Sequence, residues 1–248
     1  MSLFEERQLF LLTGASSGIG RAIAQALAAN GARVICNGRN QAALEECCAF
    51  SENNMYPEPL DLATNLQKLP AWLGDLSSRH GPLSGLVNCA GITWNAPLSF
   101  YNLPKAEEIF AINCHAPLIL SGAFCKKKIN AGAGSAIVNV AAAAALEPNP
   151  GQGIYAAAKA ALVAGSKCLA KEAAPAGVRV NCVSPGLVTG PMCDATIAQL
   201  GPAFLERERL LYPLGLGKAE YVADLTLFLL SAKAAWITGQ NLLISGGR

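Results

Sequence analysis

Short apolar runs alternate with longer, alanine-rich segments along the whole chain. Runs of this kind predict buried parallel strands, and the longer segments have the apolar spacing of amphipathic helices. The predicted strands are 9–12, 33–37, 56–60, 85–88, 136–140, 179–183 and 242–244. The predicted helices are 19–30, 41–51, 66–79, 105–127, 155–173 and 219–230.

The alternation of strands and helices predicts βαβ units. Because crossovers are right-handed and helices must cover both sheet faces, the chain should wind outward in two directions from its first strand. We therefore expect one doubly wound α/β domain of the Rossmann type over 1–248, with a parallel sheet of order 3-2-1-4-5-6-7. Ligands should bind at the carboxyl ends of its strands.

The stretch 185–217 is interrupted by Pro191, Pro202 and Pro213. A long irregular segment within a compact domain is usually functional. We expect it to form a substrate lid that carries one short helix around 195–209.

Composition narrows the function classes. Hydrophobic residues make up 52% and charged residues 15%, which favours a globular domain, and 19 basic against 17 acidic residues leave no strong field for nucleic acid. No segment reaches the roughly 20 apolar residues of a membrane span, and the first residues lack a signal-peptide pattern. The nine cysteines contain no CxxC pair, so we expect reduced thiols, no metal site and a cytoplasmic protein.

The first strand runs directly into the sequence TGASSGIG at 13–20 and then into a helix. Glycines at this spacing allow a tight turn and a close backbone approach, and the amides at a helix N-terminus attract a pyrophosphate. The sequence therefore predicts a dinucleotide site with the contacts Gly14, Ser16, Ser17, Gly18, Ile19 and Gly20.

The end of the second strand bears on the choice of cofactor. An acidic residue there would bond the adenine-ribose hydroxyls, but Gly38 occupies the expected position and Arg39 follows it. Arg39 can pair with a 2′-phosphate through charge-assisted hydrogen bonds, which predicts a preference for NADP(H) over NAD(H). The alternative is that Arg39 only solvates a loop.

Tyr155 and Lys159 are four residues apart, hence on one face of a predicted helix. An ammonium beside a phenol should lower the phenol's pKa from its usual value of about 10. Tyr155 could then protonate the alkoxide that hydride delivery leaves, or deprotonate an alcohol in the reverse direction.

Three motifs, TGASSGIG at 13–20, NCAG at 88–91 and YAAAK at 155–159, together resemble the short-chain dehydrogenase/reductase family, and the resemblance covers nearly the whole chain. It implies that Lys159 holds the nicotinamide ribose and that Asn113 positions a helix kink and a water. It implies homodimers or homotetramers formed through helices 105–127 and 155–173. The further cofactor contacts that it implies are Asp61, Leu62, Asn88, Ala90, Gly91, Pro185, Gly186, Val188 and Thr189.

The resemblance places the family's catalytic serine at Ala142, within a run of alanines at 141–145. That serine donates a hydrogen bond to the substrate carbonyl, and removing one such donor costs about 10²–10³-fold in rate. Three accounts stay open: a serine replaced by design, a naturally weak or altered reductase, and a protein that binds NADP(H) without turnover.

We expect an NADP(H)-dependent oxidoreductase that interconverts a ketone and a secondary alcohol, most like the family's 3-oxoacyl-thioester reductases. The alternatives are a non-catalytic NADP(H)-binding or sensor protein, and a family member that acts on a sugar or another small carbonyl compound. The expected partner is a small carbonyl or alcohol substrate, with neither nucleic acid nor a membrane involved.

Overall fold

A computed structural model describes residues 3–4 and 8–248. In this part of the chain, seven parallel strands form one sheet of order β3-β2-β1-β4-β5-β6-β7, which confirms the predicted fold class and strand order. Every predicted strand is present and differs only at its ends. The strands are β1 (Leu9–Thr13), β2 (Arg33–Gly38), β3 (Met55–Pro59), β4 (Gly85–Asn88), β5 (Ala136–Val140), β6 (Arg179–Pro185) and β7 (Asn241–Ile244).

Helices cover both faces of this sheet. None of those within the described residues is long and apolar enough to cross a membrane. The helices are α1 (Gly18–Ala29), α2 (Gln41–Cys48), α3 (Leu69–His80), α4 (Leu103–Phe110), α5 (Ala116–Phe124), α6 (Gly153–Ala173), α7 (Pro191–Leu200), α8 (Pro202–Leu211) and α9 (Ala219–Leu230).

The two cores follow from the alternation of side chains along the strands. In β1, Phe10 and Leu12 pack in the core beneath α1, α2 and α9, whereas Leu9 and Leu11 pack in the opposite core beneath α3 and α5. All four are at most 1% exposed. A strand covered on both faces needs an unbroken apolar run, which is why central strands such as β1 are short hydrophobic blocks in the sequence.

The predicted helix at 105–127 is divided in the structure, at the position where the resemblance implies a kink at Asn113. The chain forms α4 and α5 with a π-helical turn, Ala111–His115, between them. Pro117 lies in the first turn of α5 and has no N–H, so the regular bond back to the Asn113 carbonyl cannot form. Such wide turns are frequent at functional sites.

The prediction of one short helix around 195–209 is wrong. The segment forms two helices, α7 and α8, which are separated at Gly201. Gly201 has a φ of +86°, a backbone conformation that favours glycine, and Pro202 begins the next helix. The segment 185–217 is therefore mostly helical rather than irregular.

A buried polar network joins four elements next to the sheet's centre. The side-chain amide of Asn88 in β4 donates to Asn139 Oδ1 at 2.7 Å and to Ser121 Oγ in α5 at 3.1 Å. Asn139 in β5 in turn donates to Ser166 Oγ in α6 at 2.8 Å. Because these groups are buried, their hydrogen bonds fix α5 and α6 relative to the strands.

We predict that Asn139→Ala lowers the free energy of unfolding by about 2–4 kcal/mol, because Asn88 loses its acceptor and Ser166 its donor in a dry interior. Urea denaturation measures this. The exposed Asn53, changed to Ala, is the control and should shift stability by less than about 0.5 kcal/mol. Equal losses for the two variants would contradict a stabilising role for the network.

Candidate active site

One cavity of about 400 Å³ lies at the carboxyl edge of the sheet, where the loops after β1, β4, β5 and β6 meet. The structure brings nearly all of the sequence-predicted site residues to its wall. These are Gly14, Ser16, Ser17, Gly18, Ile19, Gly20, Arg39, Asp61, Leu62, Ala90, Gly91, Asn113, Ala142, Tyr155, Lys159, Pro185, Gly186, Val188 and Thr189.

The glycine loop leaves no room for side chains at two positions. Gly14 has a φ of +74°, and a Cβ there would lie 2.8 Å from the Ala90 backbone. A Cβ on Gly20 would lie 2.0 Å from the Gly14 carbonyl oxygen. Ser17 caps α1 without a side-chain hydrogen bond, so the first amides of α1 stay available to an anionic ligand.

Two residues that the sequence analysis did not single out hold this loop. Thr13 Oγ1 accepts hydrogen bonds from the amides of Cys89 and Ala90 at 3.1 and 3.2 Å, which ties the end of β1 to the loop after β4. Arg21 donates to the Ser16 carbonyl through Nε and Nη2, at 3.1 and 2.7 Å. Their positions directly before and after the glycines are the only signal in the sequence.

The end of β2, where the adenosine half of the cofactor is predicted to bind, carries an arginine that makes no ion pair within the described residues. A Cβ on Gly38 would lie 3.2 Å from Leu44 Cδ2 and 3.4 Å from Ser16 Oγ, so a larger side chain is crowded there. Arg39 is exposed at the cavity wall, and its guanidinium has no acceptor among the residues that the structure describes. An anion could therefore bind it without breaking an existing bond.

The position of Asn88 corrects its assignment as a cofactor contact. Asn88 is 4% exposed and absent from the cavity wall, because its side chain belongs to the buried network with Asn139. The loop residues that follow it, Cys89 to Gly91, form the wall instead. Asn88 supports the site from inside the core.

Lys159 is the charged group at the centre of the site. Its Nζ donates to the Val140 carbonyl at 2.7 Å and lies 6.0 Å from the Tyr155 ring centroid. Only 4% of the residue is exposed, and burial lowers the pKa of Lys159 to about 8. The lysine therefore loses its charge at mildly alkaline pH.

The expectation that Lys159 lowers the pKa of Tyr155 is wrong in this structure. Burial raises the pKa of the Tyr155 phenol well above its ordinary value, and Cys89 raises it further. The Lys159 ammonium donates to the Val140 carbonyl and is not among the groups that shift this pKa. Tyr155 is consequently a protonated hydrogen-bond donor at neutral pH.

Asn113 offers a buried acceptor beside this lysine. Its Nδ2 donates to the carbonyls of Ile92 and Ile109 at 2.9 and 3.0 Å, so the amide orientation is fixed. Its Oδ1 is buried and has no hydrogen-bond partner in the part of the chain that the structure describes, and a Cβ on Gly91 would lie 2.6 Å from that oxygen. An orphaned acceptor next to an ammonium suits a water or a ligand hydroxyl as its donor.

Ala142 lies where the resemblance places a serine. It is 8% exposed, lines the cavity and packs with Tyr155, Ala144 and Ala156. Its backbone is extended, with φ −164° and ψ 153°, a conformation open to any residue. A serine side chain at 142 therefore meets no backbone restriction.

Comparisons of the sequence with known proteins agree on one family. A sequence model described as enoyl-(acyl carrier protein) reductase matches residues 14–248. The 3-oxoacyl-(acyl-carrier-protein) reductase of Rickettsia prowazekii is 35% identical over 238 residues, which cover 96% of this chain and 95% of the relative. That of Escherichia coli K12 is 34% identical over 243 residues, covering 98% and 97%.

Solved structures give the same result. A short-chain dehydrogenase/reductase from Brucella melitensis, described as a glucose/ribitol dehydrogenase, superimposes with a TM-score of 0.90 at 28% identity and covers 100% of this chain and 98% of that one. A short-chain dehydrogenase from Burkholderia cenocepacia in complex with NADP has a TM-score of 0.86 at 30% identity, with 97% of each chain covered.

Proposed function

This chain belongs to the short-chain dehydrogenase/reductase family and is an oxidoreductase, and on that premise we propose that it interconverts a ketone and a secondary alcohol with NADP(H). The observation that carries the proposal is the meeting of Tyr155, Lys159 and Asn113 on one cavity with the glycine loop. We propose a 3-oxoacyl thioester as the substrate, in keeping with the names of the curated relatives.

The residues at the cavity wall suit a dinucleotide. The amides of α1 and the glycine loop would hold its pyrophosphate, and Arg39 would hold a 2′-phosphate. Lys159 and the backbone from Pro185 to Thr189 would hold the nicotinamide half. A bound cofactor would supply the hydride.

The protein's own contribution is proton transfer and positioning. Tyr155, held neutral by burial, donates its proton to the substrate oxygen as negative charge develops there. Lys159 supplies the positive charge near that oxygen, and the Asn113 acceptor holds a donor group beside the lysine. Ala142 supplies no hydrogen bond to the substrate oxygen, so we propose a slow reductase.

The segment 185–217 is proposed to act as the substrate lid. Residues of α7 and α8, including Met192, Thr196 and Phe204, line the cavity. Homo-oligomers are part of the same proposal, because Ala157, Ala160 and Ala164 form an exposed stripe of small side chains on α6 that permits close helix packing.

Ala142 is also the one observation that favours a different function, an NADP(H)-binding protein without turnover. A hydroxyl introduced at position 142 distinguishes the reductase from the binding protein without turnover. We predict that Ala142→Ser raises the rate of NADPH oxidation with a panel of 3-oxoacyl thioesters by about 10²-fold or more. Ala144→Ser, which places a hydroxyl elsewhere on the same cavity wall, is the matched control and should bring no comparable gain. If no carbonyl compound reacts with either the parent or Ala142→Ser, the enzyme proposal is abandoned.

The cofactor preference depends on Arg39. We predict that Arg39→Ala weakens NADPH binding by about 10–100-fold, the loss of one or two charge-assisted hydrogen bonds, and leaves the Kd for NADH within about twofold. Fluorescence titration of both cofactors measures this. Arg209→Ala, an exposed arginine away from the cavity, is the control. Tighter binding of NADH than of NADPH by the parent protein would overturn the preference.

The acid–base roles predict a pH profile. Reduction requires a protonated Tyr155, whose raised pKa keeps it neutral, and a charged Lys159, whose pKa is about 8. We predict that kcat/KM for reduction by Ala142→Ser is level near pH 6–7 and falls about tenfold per pH unit above pH 8, because the lysine deprotonates. A profile that stays flat to pH 10 would contradict the role given to Lys159.

A further inference from the structure

A charged cluster at the substrate end of the cavity has no role in the chemistry above. It consists of Arg248, Glu208, Tyr212 and Asn149, all of which line the cavity. Arg248 follows β7, Glu208 and Tyr212 belong to α8 and its end, and Asn149 precedes α6. Three side chains from two other parts of the chain thus meet at the Arg248 guanidinium.

The arginine contacts every other member of the cluster. Arg248 Nη1 donates to Glu208 Oε2 at 2.5 Å and to Tyr212 Oη at 3.1 Å, and Nη2 donates to Asn149 Oδ1 at 2.9 Å. The guanidinium also lies 5.4 Å from the centroid of the Tyr212 ring. Such a planar fork satisfies several acceptors at once, which an ammonium cannot do in the same geometry.

Glu208 makes this contact necessary. Its side chain is only 2% exposed, and a buried carboxylate must be paired. The other cation within reach among the described residues is Arg207, at 3.5 Å, but that side chain is 67% exposed and its contact is weak. Arg248 is therefore the partner that allows α8 to lie against the cavity.

The cluster reaches the catalytic wall by two routes. Tyr212 Oη accepts the amide hydrogen of Leu187 at 2.7 Å, directly after the Pro185-Gly186 turn. The backbone amide of Asn149 donates to Gln152 Oε1 at 3.0 Å, and Gln152 lies one turn before Tyr155. Arg248 thus contacts Tyr212, which is bonded to the loop after β6, and Asn149, in the loop that leads into α6.

The backbone directs Arg248 into this position. Gly246 and Gly247 have φ values of +61° and +92°, which turn the chain back after β7. Ser245 Oγ donates to the Arg248 carbonyl, and the Leu214 amide donates to the Gly246 carbonyl at 3.1 Å. One bond closes the turn and the other ties it to the segment after α8, so the turn carries the guanidinium to the cavity.

We propose that Arg248 is a positioning residue that clamps α8 and the loop at Asn149 across the substrate end of the cavity, and so fixes the wall against which the substrate binds. The proposal rests on the proposed function for where the substrate lies. The clamp itself is independent of catalysis. Arg248 touches neither the reacting atoms nor the predicted cofactor contacts and acts through Glu208 and Asn149.

Hydrogen exchange tests the clamp without any substrate. In Arg248→Ala, amides of residues 203–211 should exchange at least about tenfold faster than in the parent, because the buried Glu208 is left without its partner. Arg248→Lys should restore part of the protection, and the exposed control Arg209→Ala should change nothing. Unchanged exchange at 203–211 in Arg248→Ala overturns the proposal whatever the activity.

Kinetics in the Ala142→Ser background test the consequence for the substrate. Adding Arg248→Ala should raise the substrate KM about tenfold or more and alter kcat by less than about threefold, while the Kd for NADPH stays constant. When Glu208→Gln is added as well, the rise in KM should be smaller than the product of the rises caused by each change alone, because the two side chains act as one unit. A fall in kcat without a rise in KM overturns the clamp. So does a rise in KM for the combined variant that equals the product of the separate rises. Absence of turnover in every variant overturns the proposed function instead, and the exchange result then decides the clamp alone.

Discussion

The hydrogen bond from the Lys159 ammonium to the Val140 carbonyl, 2.7 Å long, is the contact on which the site depends. It joins α6 to the last residue of β5, at the edge where the parallel strands end. Since the lysine is buried, the bond replaces part of the hydration that the charge has lost. The same helix carries Tyr155 one turn earlier, so this one bond positions the phenol as well.

The surrounding structure keeps that contact in place. The network from Asn88 through Asn139 to Ser166 fixes α6 against β4 and β5 from inside the core. The π turn holds Asn113 with its amide hydrogens bound and its oxygen directed at a region shared with Gly91 and Lys159. The substrate end, by contrast, depends on pairs between distant segments, of which Arg248 and Glu208 are the example.

Much of this could be predicted from the sequence because the signals are local. Central strands such as β1 and β5 are buried on both faces and are short apolar blocks, and the alternation of strands and helices indicates the order of the sheet. The glycine loop that follows β1 was equally accessible. The split between α7 and α8 depends on the conformation of Gly201 and could not be distinguished from a simple interruption. The resemblance implies a kink at Asn113, but that the kink is a π turn follows only from Pro117, which deprives the Asn113 carbonyl of its regular donor.

Other features depend on contacts between residues far apart in the chain. Asn88 looked like a wall residue beside Ala90 and Gly91, yet its side chain points into a network whose partners come from three other elements. The direction of the Tyr155 pKa shift depends on how dry the cavity is, which spacing alone does not indicate. Arg248 and Glu208 are not linked by any periodicity, so only the fold brings them together.

The central claim is that Tyr155 and Lys159 face a nicotinamide laid across the glycine loop. A crystal structure of the protein with NADPH tests it most directly. The account predicts the nicotinamide ring beside the Tyr155 hydroxyl, the ribose hydroxyls within hydrogen-bond distance of Lys159 Nζ, and the pyrophosphate at the amides of α1. A cofactor bound elsewhere, or a ring placed away from both side chains, would contradict it.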